Sequence, residues 1–220
     1  MTRPLPNSTR ESRSLVSEAI RTSLERDLRD LVRTRDRVQA LSRELRQASQ
    51  QVMRKIHAGE TPTSQANQIA RARARLVAEA IRAGMVADEV VEVALQESVE
   101  AALLWALVRG NPLPSPESLK VGPVAYLLGL SDLVGEMRRL AISSLSRGRP
   151  KEAESHLGGM DEVLSVLMHF DAPRGVMALK HKQDSARNLI ERTRGEVAMA
   201  LYLESLIPGG PHALRRRTQR

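Results

Sequence analysis

The chain has 220 residues, a formal net charge of +8 and a pI of about 10.7, with 41% hydrophobic residues, 2% aromatic residues and no cysteine. Without cysteine there are no disulfides, no thiol catalysis and no Cys-ligated zinc or iron–sulfur site. The basic balance favours polyanionic partners, nucleic acid before an anionic membrane surface.

The apolar inventory is Leu, Ala, Val, Ile and Met, which suits helix-on-helix packing better than a sheet. No apolar run reaches the roughly 20 residues of a membrane span, and the opening "MTRPLPNSTRESRS" has no signal-peptide core. The expectation is a cytoplasmic protein with no membrane partner.

From Ser8 to Ala58 there is neither Gly nor Pro, and Val38, Leu41, Leu45, Ala48, Val52 and Ile56 recur at steps of three and four. Leu15, Ile20, Leu24, Leu28 and Leu31 continue the pattern upstream, so one very long amphipathic helix should end at Gly59. "ETPTSQ" should open a second helix, with Thr61 as cap and Pro62 in the first turn, running to Ala83. A third should span about Ala87 to Val108, followed by an irregular connection, "NPLPSPES". Pro123 should start a fourth, broken by "RGRP" at Arg147 to Pro150. A fifth should run to about Phe170, weakened by Gly158 and Gly159, and a sixth from about Pro173 to Ser205. No strand pattern or internal repeat is present, so the fold class is an all-α bundle of six to seven helices. Residues 1–10 read as a flexible segment, 11–207 as one helical domain and 208–220 as a basic tail. The first helix is longer than a compact bundle needs, and such a helix often buries its surplus against another subunit.

The fourth helix, "YLLGLSDLVGEMRRLAI", is apolar nearly all round yet carries Asp132 and Glu136 four residues apart, on one face. In the third, "LQESVEAALLWALV" places Glu97 and Glu100 three apart. A buried carboxylate needs a cation or a proton. Gly129 and Gly135 beside the second pair leave room for something to approach. Either pair alone reads as a solvated face or a salt bridge. Facing each other, the four would form an oxygen-only cluster suited to magnesium, manganese or calcium. None of the five histidines sits three residues after a Glu, so the Glu-x-x-His pairs of di-iron bundles are absent. Arg71, Arg75 and Arg82, and separately Arg33 and Arg37, line helix faces that are either solvated surface or phosphate-contacting.

"VAYLLGLSDLVGEMRRLAISSLSRG" resembles the signature helix of the translin family, nearest to its translin-associated factor X branch and to archaeal-type translin-like proteins. "LQESVEAA" is similar to that family's "LQEYVEA" segment, and "FDAPRGVMALKHKQDSARNLIE" to its terminal helix. The resemblance covers roughly Ser12 to Leu206. It implies an α-helical bundle assembled into a hollow homo-oligomer, typically an octamer, that binds single-stranded RNA or DNA. It further implies a magnesium-dependent (or manganese-dependent) endoribonuclease, with Glu97, Glu100 and Asp132 as its catalytic acids. The same three would bind metal, with Glu136 as a further ligand. Ala125 departs from the family pattern, where Asp is usual. The other implied reading is a non-catalytic single-stranded RNA- or DNA-binding module, in which Arg33, Arg37, Arg71, Arg75 and Arg82 carry the function.

Overall fold

The computed structural model describes residues 15–170 and 177–206, all of the regular structure among them helical. The flexible segment expected over residues 1–10 and the tail expected over 208–220 lie outside the described residues.

Helix α1 (Glu18–His57) starts where the Ser17 hydroxyl accepts a hydrogen bond from the Ile20 amide, a cap that ends the upstream reach expected from the sequence. It closes ahead of Gly59, whose φ of +75° suits glycine. Helix α2 (Thr63–Ala83) follows Pro62, which occupies the cap position in place of the expected Thr61, and no side chain caps it. Gly84, left-handed, ends it. Asp88 caps α3 (Glu89–Val108) by accepting from the Val90 amide.

The stretch expected to be irregular contains a short helix, α4 (Pro116–Leu119), because the Ser115 hydroxyl accepts from the Ser118 amide and Pro116 takes the first helical position. Helices α5 (Pro123–Ser146), α6 (Pro150–Met168) and α7 (Met177–Leu206) complete the bundle. The start expected for the last helix, near Pro173, lies outside the described residues. Helix α6 runs unbroken through Gly158 and Gly159. A Cβ at Gly159 would meet Met137 Cε at 2.5 Å, so that glycine is where α6 packs against α5.

α5 is the central rod, packed by α3, α6 and α7, while α1 packs on α2 and α3. This explains a helix apolar nearly all round. The core is continuous through Leu45, Leu76, Leu103, Leu133, Met160 and Ile190, each at most 1% exposed. The N-terminal half of α1 lies outside it. The first buried residue of α1 is Val38, and upstream Ile20, Leu24, Leu28, Leu31 and Val32 form an exposed apolar stripe.

Candidate metal and nucleic-acid site

Gly129 decides where α3 and α5 meet. A Cβ there would come within 2.8 Å of the Val99 side chain and 2.9 Å of the Gln96 carbonyl. The space expected to admit a ligand at Gly129 is therefore filled by α3. Glycine serves close helix packing here, and the closest approach falls at the residues flanking Glu97. It sets Glu97 and Glu100 on α3 against Asp132 and Glu136 on α5. Gly135 does face open space and lines a cleft of about 480 Å³ between α5 and α7, with Asp132, His181 and Lys182.

The four acids feel one another. Burial pushes the Glu100 carboxyl up to about 7, and the negative charges of Asp132, Glu136 and Glu97 add to the effect, against a smaller pull from Lys182. Glu100 makes no ion pair or hydrogen bond of its own among the described residues. The other three are turned to separate partners. Glu97 accepts from Arg46 Nε at 2.8 Å and from Gln50 Nε2 at 3.5 Å. Asp132 accepts from Lys182 Nζ and from Gln96 Nε2. Glu136 Oε2 lies 2.9 Å from His57 Nε2. That approach is short but misaligned with the ring N–H, so the oxygen is buried without a hydrogen bond.

In this arrangement no three acid or histidine side chains among the described residues are disposed to hold one ion. Mutual repulsion, the two local cations Arg46 and Lys182, and the His57 ring account for the spread. Several features nevertheless fit a hard divalent cation. The donors are all carboxylate oxygens, one of them is buried and unsatisfied, and the charge at Glu100 is crowded by three like charges. Gathering them takes side-chain rotations away from Arg46, Lys182 and His57.

Sequence reasoning does not single out these partners. Arg46, Gln50 and His57 stand at steps of four and seven along α1, a polar line on one face that periodicity exposes. Lys182 lies fifty residues from Asp132 and only the tertiary fold pairs them.

The arginines gather elsewhere. Arg37 pairs with Glu79 at 3.5 Å, Arg82 pairs with the same Glu79, and Arg75 pairs with Glu44 at 2.8 Å, all across or along the α1–α2 seam. Arg71 and Arg75 line a polar groove with Glu44, Gln47, Gln51 and Gln68. Arg33 sits one turn before Arg37, 3.8 Å from Asp30 on its own helix. On α1 this seam uses Arg37, Glu44 and Gln51, seven apart. Glu44 is two positions from Arg46, about 200° around the helix. The seam and the acids thus occupy different flanks of α1.

Residues 33–195 match the Translin family. Over 103 residues the chain is 34% identical to an uncharacterised protein of Methanocaldococcus jannaschii, a match covering 46% of each; the chain spans about half the length of this curated relative. At 29% identity it resembles the crystal structure of AfC3PO, with a TM-score of 0.74 over 83% of this chain and 97% of that one. The AfC3PO–duplex RNA complex, also 29% identical, gives a TM-score of 0.72 over 84% of this chain and 98% of that one. The crystal structure of apo-NeC3PO, 18% identical, shares the fold, with a TM-score of 0.75 over 85% of this chain and 99% of that one.

Proposed function

Because the chain belongs to the translin family, we propose that it binds RNA and cleaves single strands of it as a metal-dependent endoribonuclease, working as a homo-oligomer of the hollow, octameric kind. The observation that carries the reading is the close approach of α3 and α5 at Gly129, which brings two acid-bearing helices together so that burial and the charges of Asp132, Glu136 and Glu97 push Glu100 up to about 7. Glu97, Glu100, Asp132 and Glu136 would hold Mg²⁺ or Mn²⁺. When bound, such a cation supplies Lewis-acid polarisation of the scissile phosphate and a more acidic water. The chain's own groups do the rest. One carboxylate takes the proton of the attacking water, and Lys182, at the mouth of the α5–α7 cleft, is placed to meet phosphate charge once Asp132 turns away from it.

Binding would rest on the seam arginines Arg37, Arg71, Arg75 and Arg82, with Arg33 one turn before them. AfC3PO was solved with duplex RNA, so paired strands belong in the assay beside single ones. Assembly is supported by the apolar stripe from Ile20 to Val32, which the bundle leaves uncovered; a second copy of the chain would bury it.

One observation favours the alternative, a binding module that does not cut. Glu97 and Asp132 already pair with the cations Arg46 and Lys182, and Glu136 lies against His57, so the acids also have structural partners. An RNA cleavage assay with Mg²⁺ or Mn²⁺ against EDTA, run on the wild type and on Asp132→Asn, separates the two. The nuclease reading expects cleavage that EDTA abolishes and that Asp132→Asn loses, with filter binding retained. Binding without cleavage in either metal supports the module instead.

A further inference from the structure

Away from the four acids, α1, α2, α3 and the segment 111–119 line a half-open cavity of about 310 Å³. Its walls are mostly apolar, and no acidic residue lines it. Arg73 does line it, at 6% exposure. Buried arginines normally face a carboxylate. Among the described residues this one has only Ser98, whose carbonyl and hydroxyl accept from Nη1 at 3.4 Å each. Those distances are longer than the usual 2.7–3.2 Å. Most of the planar donor fork is therefore unused, although it matches a carboxylate in two-pronged geometry. Burial lowers the Arg73 pKa only to about 10, so it stays charged at neutral pH. At the rim stands Trp105, with Arg109 Cζ 5.2 Å from its ring centroid.

We infer that this cavity binds a small monocarboxylate with an apolar or aromatic body, its carboxylate on Arg73 and its body against Trp105 and the aliphatic wall. Three features select that chemistry. The one buried cation, Arg73, balances one negative charge, since Arg109 is exposed and stacks on the Trp105 ring. The wall offers shape to an apolar body and little hydrogen bonding to a polar one, since among the described residues Asn111, Arg109 and the Trp105 indole are its only other polar side chains. A nucleotide would bring a phosphate dianion, a ribose and a base, most of whose polar groups would stay unmet there.

Trp105 is the only tryptophan of the chain, so its emission reports the cavity directly. The probes are 3-phenylpropionate, its neutral amide 3-phenylpropanamide, and adenosine monophosphate. The expected result is a saturable change in emission with the acid, and binding of the amide weaker by about tenfold or more, as loss of a charge-assisted hydrogen bond requires. Arg73→Met should erase the preference for acid over amide. Ala102→Leu, which narrows the cavity from α3, should weaken both. Equal binding of acid and amide by the wild type overturns the inference. So does the absence of a saturable signal, tighter binding of the nucleotide than of the acid, or an Arg73→Met protein that keeps the preference. If Arg73→Met does not fold, the wild-type acid-to-amide ratio and the Ala102→Leu titration decide the matter.

Discussion

Glu100→Gln tests the crowding of the acid cluster without reference to any substrate. Glutamine keeps the shape and imitates the protonated carboxyl at every pH. The wild-type carboxyl is raised from 4.5 to about 7. A group whose folded-state pKa is raised contributes stability that is fully present below the unfolded value and is lost as pH rises through the folded one. The wild type should therefore lose stability between about pH 4.5 and pH 7.5 through this group, and the variant should not. The gap between the two values corresponds to at most about 3 kcal/mol. Rotation of Glu100 toward water and proton uptake by its neighbours reduce this to roughly 1–3 kcal/mol. The assay is urea unfolding at fixed protein concentration in EDTA, at pH 5 and pH 8.5. Glu100→Gln should match the wild type within about 0.5 kcal/mol at pH 5 and exceed it at pH 8.5, where its melting temperature should rise by roughly 2–4 °C per kcal/mol. Added Mg²⁺ at pH 8.5 should stabilise the wild type more than the variant, since a ligand that binds the folded state stabilises it by mass action. A variant equally or less stable than the wild type at both pH values would refute the crowding argument.

Gly129→Ala should destabilise by about 1–3 kcal/mol, because its Cβ meets Val99 and the Gln96 backbone, whereas Gly135→Ala in the same helix faces open space and should be neutral or stabilising by up to about 1 kcal/mol; thermal melts compare them. Replacing Arg71, Arg75 and Arg82 together with Glu should weaken RNA binding and flatten its dependence on salt, by about 0.7 in the log–log slope for each phosphate that is no longer neutralised; unchanged affinity in filter binding moves the interface elsewhere. Leu24→Asp with Leu28→Asp should lower the mass seen by light scattering at micromolar concentration while leaving helix content intact, since both side chains lie outside the bundle core; an unchanged mass would mean that the stripe is not the assembly surface.

Glycine and proline punctuation makes most helix ends legible in the sequence. Gly84 and Pro123 each stand at a helix end, and each acts through its own backbone restriction. Thr61 misleads because Pro62 takes the cap position with no side-chain cap at all, and the upstream reach of α1 misleads because the Ser17 hydroxyl caps it inside a run that periodicity alone would continue. Helix α4 escapes notice because a four-residue helix has no periodicity; only the Ser115–Pro116 pair announces it. The acid pairs are visible because their spacing is local to each helix. Their partners are not, because Arg46, His57 and Lys182 reach them from other helices. In sequence Gly129 suggests room for a ligand, yet it is room for a neighbouring helix, a distinction that only the packing makes.

The same geometry constrains how binding and chemistry can be joined. The arginine groove opens on the α2 side of α1, while Arg46, Gln50 and His57 meet the acids from a face of α1 well over 90° around. A strand held along the α1–α2 seam therefore does not lie over the acids of its own protomer; it must curve around α1 or continue onto a second copy. The cleft between α5 and α7 has a cation of its own at Asp132, Lys182, with the His181 side chain beside it. On the proposed reading, Lys182 would meet a short stretch of backbone phosphate locally, and the distant arginines would contribute affinity rather than alignment. This division separates the two classes of substitution. Losses at the seam should appear in binding and its salt dependence. Losses at Asp132 or Lys182 should appear in turnover, because both side chains line the α5–α7 cleft, where Asp132 alone of the four acids is found.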